Sequence, residues 1–258
     1  MFNFLFGKGK VDYNPIFFLG ALGPGGLVVS FFMYLMFIIP RNSEKFPIPN
    51  FDTLKEVFLT GNTFYQIVIF IALLGILFFT FLHIKMLIWN LKKFFDFKKS
   101  SLYESFINGK NEISLIALPL TLAMSINVLF ILGAVFVPGL WGYVEYLFPF
   151  ALLGFFLVGV LTLKIFMHYF TKILLKKGGV DLTNTNSLSQ MLSVMTFVMV
   201  GVGFAASAAM SSTKLTIFFG LLGSISFIII ALILMFIKMV LGFRAMFEHG
   251  IDKATSPS

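Results

Sequence analysis

Six runs of predominantly apolar residues, at about 15–39, 62–87, 113–136, 145–165, 188–210 and 215–239, dominate this chain of 258 residues. About 20 apolar residues carry an α-helix across the ~30 Å hydrocarbon core of a bilayer, and every run reaches that length. Only helices and closed barrels satisfy their backbone polar groups in that medium. The alternating segments of about ten residues that mark a membrane barrel are absent from the sequence. The expected fold class is therefore all-α transmembrane, a single transmembrane domain over 1–258 with six helices in three hairpins. The chain is 59% hydrophobic and 12% charged, against about 45–50% and about 25% in soluble domains. These figures exclude a soluble globular enzyme, a disordered chain and a disulfide-rich secreted fold. There is no cysteine, which removes disulfides, zinc thiolates, iron–sulfur clusters and thiol nucleophiles from consideration. No enzyme activity, metal or cofactor is expected.

The 19 Lys and Arg residues give a net charge of +8, and their placement sets the topology. With the N-terminus inside, 15 fall on the cytoplasmic side, and only Arg41, Lys45, Lys55 and Lys214 fall outside. This bias places both termini in the cytoplasm. The inner leaflet accounts for the positive charge, so the lipid bilayer is the expected partner and nucleic acid is not. The opening MFNFLFGKGK is too short for a signal peptide, and Phe2, Phe4, Leu5 and Phe6 are expected to rest in the interface. The outer segment 40–61 holds three prolines and suggests a short helix capped by Asp52. The basic, aromatic segment 88–112 is expected to lie along the membrane surface.

Residue size alternates between spans. Gly, Ala, Ser and Pro make up 24 of 72 residues in the odd spans and 11 of 72 in the even ones. Small residues let helix backbones approach closely or leave room for a path. The simplest arrangement sets the odd helices inside, kinked, with the even helices outside; tight packing of the odd helices is the other reading. The first span sharpens the pattern. Gly20, Gly23, Pro24, Gly25 and Gly26 stand together in its cytoplasmic half, where Pro24 removes a backbone donor. An interrupted helix is expected there, its outer half beginning inside the membrane with free N–H groups that favour an anion. A glycine-packed kink without a ligand is the alternative. Pro119 and Asn127 in the third span, and Gly201, Gly203 and Phe204 in the fifth, complete the candidates for helix breaks or path lining. No acid lies in the middle of any span, so a carboxylate-lined cation path and a buried proton carrier are both disfavoured. Gln66, Gln190 and His83 are further polar groups in or near the membrane.

The stretch NPIFFLGALGPGGLVVSFF followed by PIPNFDTL resembles the start of the TehA-like family, the tellurite-resistance and dicarboxylate transporters that include the slow-type anion channels. Its closest likeness is to the bacterial branch called TsoY, described as (seleno)proteins. The resemblance implies ten helices in five hairpins, with odd helices lining a pore and even helices forming an outer ring. It also implies a homo-oligomer, commonly a trimer with one pore per subunit, in the bacterial inner (cytoplasmic) membrane. The function it implies is a channel or uniporter for a small inorganic or organic anion. Six spans rather than ten make the chain look like the N-terminal part of such a bundle, an incomplete one truncated at the C-terminus. The family's gating Phe belongs to the ninth helix, so no residue here inherits it; Phe204 is the one candidate for occluding a path. Two other functions remain open. His83 and His168 stand at similar depth on the second and fourth spans, as bis-His ligation in a haem-binding redox subunit requires, or they are interfacial histidines. A non-catalytic membrane scaffold is the third reading.

Overall fold

A computed structural model describes residues 13–41, 46–175 and 191–249, and among these the chain is helical with no strand. The interfacial Phe2, Phe4, Leu5 and Phe6, and Gln190, lie outside the described residues. Six helices are long and apolar enough to cross a membrane: Pro15–Ile38, Thr63–Lys98, Glu112–Phe136, Leu140–Lys172, Met191–Met210 and Lys214–Arg244, here spans 1 to 6. Their number and order match the sequence reading.

Their lengths differ from it. Among the described residues, the α-helices of spans 1, 3 and 5 each hold 20 residues, about 30 Å at 1.5 Å per residue. Those of spans 2, 4 and 6 hold 36, 32 and 36, about 48–54 Å. The even helices run on to Lys98, Leu175 and His249, well past the ends expected at 87, 165 and 239. The first lysines end the apolar run without ending the helix. In span 2 the buried residues Ile69, Ile76, His83, Asn90 and Phe97 recur every seven residues along one seam. That seam carries the helix straight through the segment expected to lie flat on the membrane. A short helix, Ser101–Ile107, and a 3-10 turn, Lys110–Ile116, then lead into span 3.

Contacts at the helix ends show strict up-and-down alternation. At the end rich in lysine, called here the basic end, the Tyr13 hydroxyl donates to the carbonyl of Asn90 (3.3 Å) and the Ser114 hydroxyl donates to Asn14 Oδ1 (3.2 Å). At the opposite end the Glu145 carboxylate accepts from the hydroxyls of Ser211, Ser212 and Thr213 and from the Ser212 N–H. This pins span 4 to the turn between spans 5 and 6. The short helix Phe51–Thr60 caps the same end and sinks Leu54 among spans 1 to 3. Its cap is Asn50, whose Oδ1 accepts from Thr53 N–H at 2.9 Å. Asp52, the expected cap, instead accepts from Gly139 N–H at 3.2 Å.

Span 3 is the hub. It packs against spans 1, 4 and 5, while spans 1 and 2 and spans 5 and 6 form close pairs. Of the most apolar stretch, 50% is buried in span 3 and 61% in span 5, against 28% in spans 1, 2 and 6 and 33% in span 4. Spans 3 and 5 are thus the inner helices. Span 1, expected to join them, sits on the flank: among the described residues its main helix contacts are with spans 2 and 3.

Lipid tails are as apolar as leucine, so close packing rather than apolar burial selects helix contacts in a membrane. The packing device here is a phenylalanine ring seated on a glycine. Phe31 lies on Gly75, Phe227 on Gly159, Phe155 on Gly203 and Phe204 on Gly223, each so close that a Cβ on the glycine would overlap the ring. These pairs join spans 1 and 2, 4 and 6, 4 and 5, and 5 and 6.

Candidate functional site

The glycine–proline run of span 1 remains one continuous α-helix from Leu19 to Ile38, with Pro24 inside it. The interruption expected near Gly23–Gly26 is not present, and no half-helix begins within the membrane there. Neighbouring helices can supply the polar groups that let proline persist in a transmembrane helix. Here a polar group of span 2 reaches the neighbouring carbonyl. His83 is 1% exposed, and its Nδ1 lies 2.8 Å from the carbonyl of Ala21, in the turn preceding Pro24. A carbonyl only accepts, so Nδ1 carries the proton.

The imidazole also reaches span 3. Its Nε2 is 2.9 Å from Ser125 Oγ, which is itself 2.9 Å from the carbonyl of Thr121. Thr121 Oγ1 then donates to the carbonyls of Phe18 (3.0 Å) and Ala117 (2.8 Å). One step nearer the basic end, the Asn90 amide donates to the carbonyls of Phe17 (3.1 Å) and Met86 (2.9 Å). This polar chain fastens the first turns of span 1 to spans 2 and 3. It also gives both ring nitrogens of His83 a polar neighbour within the bundle.

The glycines of span 1 divide between two faces. Gly25 is buried, and a Cβ on it would come 2.5 Å from Met124 Cγ and 2.9 Å from His83 Nδ1. Its absent side chain makes room for the histidine. Gly23 and Gly26 have nothing within 4 Å of such a Cβ, and Ser30 is exposed one turn further on. Gly20 would meet only the flexible end of Met86. Span 1 therefore has a packed face through Ala21 and Gly25 and an open face through Gly23, Gly26 and Ser30.

The remaining candidates do not join that open face. Pro119 is buried in the first turn of its helix, where its missing N–H has no intrahelical role, so it produces no break. The Asn127 amide donates weakly to Met199 Sδ at 3.5 Å, between spans 3 and 5. Gly201 packs on Ile228 and Ser224, and Gly203 on Phe155. Phe204 is a core ring stacked on Phe227, centroids 5.8 Å apart, rather than a plug in an open path. The expectation that Gly201, Gly203 and Phe204 line a path therefore gives way to close packing among spans 4, 5 and 6.

A charged cluster that the sequence reading missed lies at the basic end. Glu112 is 4% exposed; its Oε2 accepts from Lys172 Nζ at 3.1 Å, and its Oε1 is 3.4 Å from His168 Nε2. Lys172 also donates to the carbonyl of Ile107 at 2.8 Å. The cluster ties the connection between spans 2 and 3 onto span 4. Burial and the nearby Glu112 carboxylate push the Tyr103 phenol above the ordinary tyrosine range. His83 and His168, expected at similar depth, thus occupy unlike sites: one inside the helix junction, the other on the surface beside a carboxylate.

Comparison with family models, with curated proteins and with solved structures finds no match in any of the three. The class rests on the fold alone. Six apolar helices with lipid-compatible exposed side chains define a multi-pass integral membrane protein.

Proposed function

We propose that this membrane protein is a transport protein of the TehA-like type, a channel or uniporter for small anions that works as an oligomer. The observation that carries the reading is the open face of span 1. Gly23 and Gly26 leave open space where a side chain would stand, and the Ser30 hydroxyl donates to the Gly26 carbonyl at 3.1 Å beside them. A helix that leaves bare glycine toward lipid forgoes packing, so protein packed against this face, with a path between, suits it better. The proposed sign of the charge rests on span 1 and on the lysines. Residues 15–38 contain no Asp, Glu, Lys or Arg, and the lysines at the basic end concentrate anions at that mouth.

Purified protein in proteoliposomes tests this reading through chloride and nitrate efflux compared with potassium efflux. Gly23→Leu and Gly26→Leu fill open space, so they should block anion flux while leaving thermal stability unchanged. Absence of anion flux from the reconstituted oligomer, cation-selective flux, or anion flux indifferent to both leucines would overturn the proposal.

A further inference from the structure

We propose that the outward face of the basic half of span 2 is a binding surface for anionic phospholipid headgroups. Two rows share that face. Phe81, Ile88 and Phe95 are seven residues apart, and so are Lys85, Lys92 and Lys99, offset by four. Spacings of three and four place all six side chains on one side of the helix. All six are exposed: Phe81 at 62%, Ile88 at 48% and Phe95 at 59%, with the three lysines open as well. The opposite side holds His83, Asn90, Phe94 and Phe97, which are buried in the bundle.

Length explains why these rows meet headgroups. From Thr63, about 20 residues cross the hydrocarbon core, which brings the inner boundary close to Lys85. The exposed apolar row nevertheless continues to Phe95, about 15 Å further along the helix axis. Tilting accommodates such an excess, and the face that leans toward the bilayer must then suit both acyl chains and phosphates. Phe81, Ile88 and Phe95 suit the first, and lysines on four-carbon stems suit the second. Lys85 Nζ already lies 5.8 Å from the Phe81 ring centroid, folded back along the apolar row. Asp96 is exposed on the same face and is its one acid. The net positive charge selects anionic over zwitterionic lipid, each lysine near the surface adding about fivefold in affinity. The inference is independent of any transported ion.

The test uses the full chain in nanodiscs of phosphatidylcholine, with and without phosphatidylglycerol. Native mass spectrometry reads retained lipid, and thermal melting reads protection. Wild-type protein should retain phosphatidylglycerol and melt higher with it. Changing Lys85, Lys92 and Lys99 together to Gln should cut retention about a hundredfold, whereas the same three changed to Arg should preserve it. Lys55→Gln with Lys214→Gln, at the opposite end, should change nothing. Inorganic phosphate in phosphatidylcholine discs should give no protection. Asp96→Asn should raise retention, and it decides the matter if the glutamine variant does not fold. Retention unchanged in the glutamine variant or by Asp96→Asn, equal loss in the opposite-end variant, or equal protection by free phosphate would overturn the assignment.

Discussion

His83 and Ala21, 62 positions apart, meet at 2.8 Å, where the imidazole Nδ1–H donates to a backbone carbonyl in the turn preceding Pro24. The bond ties a stretch with four glycines and a proline in seven residues to span 2. Pro24 has no N–H for the carbonyl of Gly20, and the flexible glycines cost helix stability. Span 2 holds this part of span 1 from the side, His83 at Ala21 and Asn90 at Phe17, in the turn just before the helix. Gly25 completes the fit, since any side chain there would collide with the ring.

This division predicts opposite outcomes for neighbouring glycines. Gly25→Ala should destabilise the protein by about 1–3 kcal/mol, because Met124 and His83 must both move. Gly26→Ala should be neutral or stabilising by up to about 1 kcal/mol through helix propensity. His83→Leu should cost about 2 kcal/mol by removing the bonds to Ala21 and Ser125. Thermal melts in one detergent compare all three; equal effects at Gly25 and Gly26 would contradict the two-faced reading of span 1.

The ring-on-glycine contacts predict coupling between spans 4 and 5. Gly203→Ala should cost about 1–3 kcal/mol, because the new methyl displaces the Phe155 ring. Phe155→Leu should cost about 1 kcal/mol in lost contact. Together they should cost less than the sum by about 1 kcal/mol, since the smaller side chain yields to the methyl. Additive costs in a double-mutant cycle would show that the two residues do not share this contact.

The number of spans and their alternation were legible because a bilayer imposes a length on every apolar run. The candidate site was less so. Counting small residues shows that span 1 is rich in glycine, but not that Gly25 faces a histidine while Gly26 faces open space. His83 resembled an interfacial residue because Lys85 stands two positions away. Two positions are about 200° of helical turn, and the two side chains point opposite ways. The signal was present in the seven-residue recurrence of Ile69, Ile76, His83, Asn90 and Phe97, which places His83 in the buried seam. Glu112 escaped notice because its partners, Lys172 and His168, lie about 60 residues away on another helix.

Lys172 is expected to govern local rather than global stability. It joins Glu112 and the carbonyl of Ile107 to span 4, and both bonds are lost in Lys172→Met. Hydrogen exchange should then quicken through residues 101–116, while spans 5 and 6 keep their protection. A cost of about 1–2 kcal/mol suits a half-exposed lysine holding a buried carboxylate. Unchanged exchange in 101–116 would mean that the clamp contributes nothing.

Tyr13 gives the protein an alkaline limit. Burial raises its phenol well above the ordinary tyrosine value, which favours the neutral donor that reaches the Asn90 carbonyl. A group whose folded pKa is raised contributes stability that is complete below its unfolded value, about 10, and that declines as pH rises toward the folded value. Melting temperature should therefore fall above about pH 10. Tyr13→Phe should flatten part of that fall, and Tyr103, shifted the same way, contributes to what remains. An identical decline in wild type and Tyr13→Phe would remove Tyr13 from the account.

The two ends of the bundle should be chemically distinguishable in cells. Ser100 follows the long helix of span 2 at the basic end, and Ser212 stands in the turn between spans 5 and 6 at the other; both are exposed. The chain has no cysteine, so Ser100→Cys and Ser212→Cys each introduce a single thiol. The lysine bias predicts a cytoplasmic basic end, and on that expectation an impermeant maleimide should label Ser212→Cys in intact cells. It should label Ser100→Cys only after the membrane is opened. The reverse pattern would invert the protein while keeping its fold. Labelling of both from the same side would break the alternation, and with it the contacts joining Glu112 to Lys172 and Glu145 to the turn at 211–213.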